Sequence, residues 1–224
     1  MFNSLLIIWK MIKGSKVCGV SNLDTLNYII NHPFPPRFVG FITNYKKSKR
    51  YVDLKTLKTL TDNHNSKINF VSVLVDPDDE ILEKIKNFQL DYYQLYDVSP
   101  ERTQLIKNHY KKKIITALTI KNSEDVEKYK LYQNISDIIL FDGKGYEKSI
   151  GFQHKLIENV PSNIIKMIAG DIKIDKIPIL NNIDYIIDIS GSLENEEGKK
   201  DLQKINYFLN NIRNYETYKK NSSY

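Results

Sequence analysis

Lys16-Val17-Cys18-Gly19-Val20-Ser21-Asn22-Leu23-Asp24 joins a short β-branched run to a helix start. The run reads as a strand that passes almost directly into a helix, with a polar cap and an acid in the first turn. An open doubly wound sheet would want a glycine-rich turn at this first crossing, and Cys18-Gly19-Val20-Ser21 does not supply one. The stretch therefore favours a closed barrel over an open sheet.

Outward from it, the same unit recurs. Candidate strands are Lys16–Val20, Phe38–Thr43, Ile68–Val75, Tyr92–Tyr96, Lys113–Ile120, Asp137–Asp142, Ile164–Gly170 and Tyr185–Ser190. Between them apolar residues recur at three and four: Ile81, Ile85 and Phe88 share one face, as do Leu202, Ile205, Leu209 and Ile212. Pro77-Asp78-Asp79-Glu80, Ser99-Pro100-Glu101 and Asn122-Ser123-Glu124-Asp125 each combine a cap with first-turn acids. Eight alternating units without a linker predict an α/β fold, a single (β/α)8 TIM barrel over residues 14–215. Residues 1–13 read as an N-terminal extension and 216–224 as a polar C-terminal tail. The seventh helix is the weakest element, because Pro178 interrupts residues 172–180.

At 224 residues the chain can bury a substantial core. Its net charge is +6, but only Arg37, Arg50, Arg102 and Arg213 among the 33 basic residues are arginines. Lysines spread along helix faces, with no groove-reading motif, argue against a nucleic-acid partner. The same positive field suits an anionic small-molecule substrate. The lone Cys18 rules out an internal disulfide and fits a reducing, cytoplasmic setting. The apolar stretch Leu5–Trp9 is too short to span a membrane and lacks the flanks of a signal peptide. No membrane partner, no metal and no cofactor are expected, since no His/Cys cluster has ligand spacing. Monomer and homodimer both remain open.

In such a barrel the chemistry lies at the C-terminal mouths of the strands. That selects Cys18, Arg50, Asp76, Asp97, Asp142, Gly170-Asp171 and Asp188 to Ser192. Strands 1 and 6 stand three steps apart in an eight-strand ring, so Cys18 and Asp142 face each other nearly across the mouth. A thiol and a carboxyl so placed could take a proton from one side of a substrate and give one to the other, as an isomerase requires. Each has a plainer reading: Cys18 as a small packed hydrophobe, Asp142 as a turn cap, Arg50 as part of the solvated loop Lys46–Arg50. Gly170 after strand 7, with Ser190, Gly191 and Ser192 after strand 8, would let backbone N–H groups approach a phosphate.

With these residues in place, the chain resembles the phosphoribosylanthranilate isomerase family, barrel enzymes of tryptophan biosynthesis, from about Lys16 to Arg213. Lys16-Val17-Cys18-Gly19 resembles the family's Lys-Ile-Cys-Gly, and Ser48-Lys49-Arg50 its Ser-x-Arg loop. Gln94-Leu95 and Leu140-Phe141-Asp142 resemble its Gln-Leu and Leu-Leu-Asp. Asp188-Ile189-Ser190 and Gly198-Lys199-Lys200-Asp201 resemble its last two motifs. The resemblance implies Cys18 as general base, Asp142 as general acid, and Arg50 as an exposed fork for the anthranilate carboxylate. Gly170, Asp188, Ser190, Gly191 and Ser192 would then bind substrate, in an Amadori rearrangement of N-(5-phosphoribosyl)anthranilate that needs no cofactor.

The chain also departs from the pattern. Tyr96-Asp97 replaces His-Gly, Asp171 replaces a glycine of the phosphate loop, and Gly191-Ser192 inverts the usual order. The glycine-rich stretch after strand 6 is reduced to Lys148-Ser149-Ile150-Gly151. Asp171 would have to turn outward for a phosphate to sit there. Another sugar-phosphate barrel enzyme, or a barrel that binds without turnover, stays open on these departures.

Overall fold

A computed structural model describes residues 12–143, 151–177, 180 and 183–216. The elements run β1 (Ile12–Cys18), α1 (Leu23–Ile30), β2 (Phe38–Ile42), α2 (Leu54–Thr61), β3 (Asn69–Val75), α3 (Asp79–Ile85), β4 (Tyr92–Tyr96) and α4 (Pro100–Tyr110). They continue β5 (Lys113–Thr119), α5 (Ser123–Glu127), α6 (Tyr129–Tyr132), β6 (Ile138–Asp142), β7 (Lys166–Ile168), β8 (Tyr185–Ile189) and α7 (Leu202–Glu216). The eight strands close into a parallel barrel in sequence order. Side-chain oxygens of Asn22, Asp53, Asp78, Ser99 and Asn122 accept the amide N–H of the first turns of α1 to α5, as their composition predicts.

Alternation along the strands sorts their side chains into two cores. Outward residues such as Val17, Phe41, Phe70, Tyr93, Ile139 and Phe141 pack under the helices. Inward residues such as Phe38, Val71, Tyr92, Ile115, Leu140 and Met167 fill the barrel. The same inward register carries polar residues toward the C-terminal end: Lys16 and Cys18 on β1, Gln94 and Tyr96 on β4, Asp142 on β6 and Asp188 on β8. All six are buried, in a layer above an apolar plug.

Most strand ends fall within one residue of the sequence expectation, and the larger differences lie in β1, β7 and the seventh helix. β1 begins at Ile12, within the segment read as an extension, and its pairing with β8 is irregular around Gly14. It ends at Cys18 rather than Val20, because Gly19 takes φ +76° and turns the chain away. β7 spans three residues rather than seven, since Gly170 and Asp171 both adopt positive φ just beyond it. The expected seventh helix is absent among the described residues, where a turn bridged between Lys173 and Lys176 stands instead. Pro178, Lys148–Ile150, Leu5–Trp9 and residues 217–224 lie outside the described residues.

Candidate active site

A cleft of about 650 Å³, counting its open mouth, lies over the C-terminal ends of the strands. Its lining includes Cys18, Arg50, Gln94, Tyr96, Asp142, Gly170, Asp171, Asp188 and Ser190–Ser192. Cys18, Arg50, Asp142, Gly170, Asp188 and Ser190–Ser192, the residues given a catalytic or binding role from sequence, therefore border one space. Asp76 and Asp97, selected with them for the mouth, do not line it; each lies just past the end of its strand, with positive φ.

Cys18 is buried at the tip of β1, 9 % exposed. Lys16, two residues earlier on the same strand face, is wholly buried, and its Nζ donates to Asp188 Oδ2 at 2.7 Å. The pair follows from register, since Lys16 and Asp188 are direct partners across β1 and β8. Burial alone would lower the Lys16 ammonium, but Asp188 and the adjacent Cys18 hold it above its usual value. Burial pushes the Cys18 thiol up, and the Lys16 ammonium pulls against that. The thiol thus rests protonated at neutral pH, with a cation in hydrogen-bonding contact ready to stabilise its anion. Gly40 on β2 leaves the space in which the two meet: a Cβ there would stand 3.0 Å from Cys18 Sγ and 3.1 Å from Lys16 Nζ.

Asp142 closes β6, 5 % exposed. Tyr96 Oη donates to its Oδ2 at 2.9 Å, and Gln94 Nε2 donates to Tyr96 Oη at 3.3 Å. Burial raises the Asp142 carboxyl to about 7, against the stabilising bond from Tyr96, with nearby Asp188 pushing further up. A carboxyl poised there can hold a proton at neutral pH and still surrender it. It also affects stability. The native state binds this proton more tightly than the unfolded chain, so the contribution is present below about pH 4 and is lost as pH rises toward 7. Asp142→Asn should therefore gain on the native chain in urea denaturation at pH 8, by on the order of a few kcal/mol at most. At pH 4 the two should differ little. Equal differences at both pH values would contradict the raised carboxyl.

Arg50 is not the exposed fork expected from its basic loop. Its side chain is 24 % exposed, because Glu194 accepts from both Nε and Nη2, the latter at 2.9 Å. Glu194 also accepts from Lys200 at 2.8 Å, and Lys200 reaches Ser190 O at 3.0 Å. Burial would raise Glu194, but Arg50 and Lys200 together hold it below the usual carboxylate range. The stem of Arg50 crosses directly over Gly19, where any Cβ would collide with it. Glycine is needed at that position twice, for its φ and for this passage.

Ser190 Oγ donates to Cys18 O at 2.9 Å and Ser192 Oγ to Ile172 O, which ties the β8 loop to its neighbours on both sides. Gly191–Leu193 form one 3₁₀ turn, whose first amides have no acceptor inside the turn. Asp171 points out to Lys173, with which it pairs at 2.5 Å. Among the described residues no cluster of His, Cys, Asp and Glu could hold a metal, and no helix is long and apolar enough to cross a membrane.

Lys16, Glu194 and the hydroxyl of Tyr96 are parts of the site that motif reading did not assign. Strand alternation carries a signal for two of them, since Lys16 and Tyr96 share the inward face with Cys18 and Gln94.

Residues 15–211 match the family model described as N-(5'phosphoribosyl)anthranilate (PRA) isomerase. A Clostridium acetobutylicum protein named N-(5'-phosphoribosyl)anthranilate isomerase is 31% identical over 214 residues, 89% of this chain and 98% of its own. One of the same name from Zymomonas mobilis subsp. pomaceae is 29% identical over 208 residues, 89% of this chain and 97% of its own. The crystal structure of phosphoribosyl anthranilate isomerase from Thermotoga maritima superposes with a TM-score of 0.79 at 24% identity, over 91% of this chain and 100% of that one. At that identity the superposition speaks for the fold alone.

Proposed function

Because the chain belongs to the N-(5'-phosphoribosyl)anthranilate isomerase family, enzymes of tryptophan biosynthesis, we propose that it isomerises this substrate with Asp142 as general acid and Cys18 as general base. The proton on Asp142 goes to the furanose ring oxygen, the C1–O bond breaks, and the anilino nitrogen supplies the electrons that leave an iminium. The Cys18 thiolate then takes the proton from carbon 2. The electron pair moves into an enolamine, which tautomerises to the aminoketose 1-(2-carboxyphenylamino)-1-deoxyribulose 5-phosphate. Lys16 supplies the counter-charge while the thiolate exists.

One observation carries this reading: the only thiol of the chain and a carboxyl poised near neutrality border a single cleft. It implies an unusual pH dependence. The reaction needs Asp142 protonated and Cys18 ionised, yet the carboxyl titrates below the thiol. The productive form is a minority at every pH. kcat/KM should be bell-shaped, with an acid limb near 7 set by Asp142 and an alkaline limb set by the thiol. A flat profile across pH 6–9 would contradict it.

Arg50 is assigned the anthranilate carboxylate. Glu194 occupies its Nε edge, which leaves Nη1 and the outer Nη2 hydrogen for a second carboxylate. Arg50→Ala should raise KM, or the Kd of a product analogue, by roughly 10- to 100-fold, the worth of a charged hydrogen-bonded pair. Stability should fall by only ~1 kcal/mol, because Lys200 still neutralises Glu194. Unchanged KM would return Arg50 to a purely structural partner of Glu194. The phosphate is assigned to the amides of Gly170 and Ser190–Ser192, with Asp171 turned away.

The test is turnover of freshly made N-(5-phosphoribosyl)anthranilate, followed by loss of anthranilate fluorescence. Protein-dependent loss is expected. A folded chain that binds a product analogue without turnover would be a binding barrel instead.

A further inference from the structure

Tyr96 stands at the end of β4, 4 % exposed, and none of the proposed reaction steps uses it. Its hydroxyl is placed between two buried groups. Gln94 Nε2 donates to Oη, so the hydroxyl hydrogen is committed to Asp142 Oδ2. Gln94 Oε1 is buried with no hydrogen-bond partner among the described residues. Such an orphan in a native interior calls for an explanation.

A change of proton on Asp142 provides one. In the carboxylate form the hydrogens run from Gln94 to Tyr96 to Asp142, as seen. In the acid form Asp142 becomes a donor, Tyr96 Oη accepts, and its hydrogen turns back to the orphaned Gln94 Oε1 once the amide rotates by half a turn. In both protonation states Tyr96 Oη then has one donor and one acceptor, and Gln94 Oε1 gains its partner in the acid form.

We propose that Tyr96, backed by Gln94, is a positioning residue for Asp142: a phenol that donates to the carboxylate, accepts from the carboxylic acid, and holds the group toward the cleft in either state. This rests on Asp142 being the general acid. A phenol does the work without adding an imidazole that would itself titrate near neutrality. The other charged or titratable groups that act on this carboxyl are Asp188 from β8 and Lys16 from β1, with the Gly143 N–H beside it. Cys18 of β1 acts on Tyr96 itself.

The test reads Asp142 without substrate. In the purified full chain, its protonated carboxyl band is followed by infrared spectroscopy against pH and assigned by its loss in Asp142→Asn. Tyr96→Phe removes the donor to the carboxylate and should raise the midpoint by roughly one unit, a tenfold change in proton affinity. Gln94→Leu should move it the same way by less. With substrate, Tyr96→Phe should shift the acid limb of kcat/KM upward and lower kcat several-fold, while KM stays within about twofold. An Asp142 midpoint in Tyr96→Phe equal to the native one would overturn the proposal. A shifted midpoint in a chain that never turns over substrate would uphold the positioning role and defeat the isomerase mechanism instead.

Discussion

Cys18→Ser should fold as the native chain does and turn over substrate roughly 10²–10⁴ times more slowly, the usual worth of a positioned general base. A hydroxyl is close to a thiol in size, and Lys16 beside it can still hydrogen-bond to oxygen, so packing and solvation of the tip of β1 persist. Acidity does not persist. The Lys16 ammonium offsets burial only partly for a thiol, whose pKa already lies above its ordinary value. A serine hydroxyl starts several units higher, and one buried ammonium cannot bring it within reach of neutral pH. The two quantities to compare are the thermal midpoint, expected to be nearly unchanged, and kcat. Near-normal kcat would make Cys18 a packing residue and leave the proton at carbon 2 to another group.

Asp142→Asn should lose turnover on a similar scale, roughly 10²–10⁴-fold. The amide is isosteric and its oxygen can still accept from Tyr96, so the geometry of the cleft is retained. What it lacks is a transferable proton. Ring opening then relies on water, and the C1–O bond breaks without protonation of its oxygen. The same variant should be the more stable one at pH 8. Loss of activity joined to a gain in stability is the signature of a buried charge kept for chemistry rather than for folding. If the variant were both inactive and destabilised, misfolding would explain the loss, and the assignment of Asp142 would lose its support.

Much of this was legible in the chain. The closed barrel followed from repeated strand-to-helix runs, and caps such as Asn22, Asp78 and Ser99 fall where composition put them. Cys18, Asp142, Gly170, Asp188 and Ser190–Ser192 were drawn to one mouth by a single rule about strand ends. β7 is shorter than its sequence suggests: Ile164-Ile165-Lys166-Met167-Ile168 is apolar apart from Lys166, and nothing local reveals that the ladder holds for three residues before Gly170 and Asp171 turn. The burial of Arg50 is hidden from the sequence for a different reason. Its partner Glu194 lies 144 residues away in an irregular loop, and no periodicity links two loop residues across a barrel. Lys16 is the instructive case. A lysine inside an apolar run reads as a solvated face, but its separation of two from Cys18 dictates the opposite, and register then delivers Asp188 as its partner. Removing either member of that pair alone strands a buried charge, at a typical cost of about 3–5 kcal/mol.

If the thiol at the tip of β1 is the base, blocking it must stop turnover. Since Cys18 is the only cysteine, its alkylation can be counted without ambiguity. The protein is treated with increasing iodoacetamide, and the fraction modified is compared with residual isomerase activity. Parallel samples contain reduced 1-(o-carboxyphenylamino)-1-deoxyribulose 5-phosphate. Activity should fall in direct proportion to modification and reach zero at one equivalent, with the analogue slowing both together. Full modification with activity retained would contradict it.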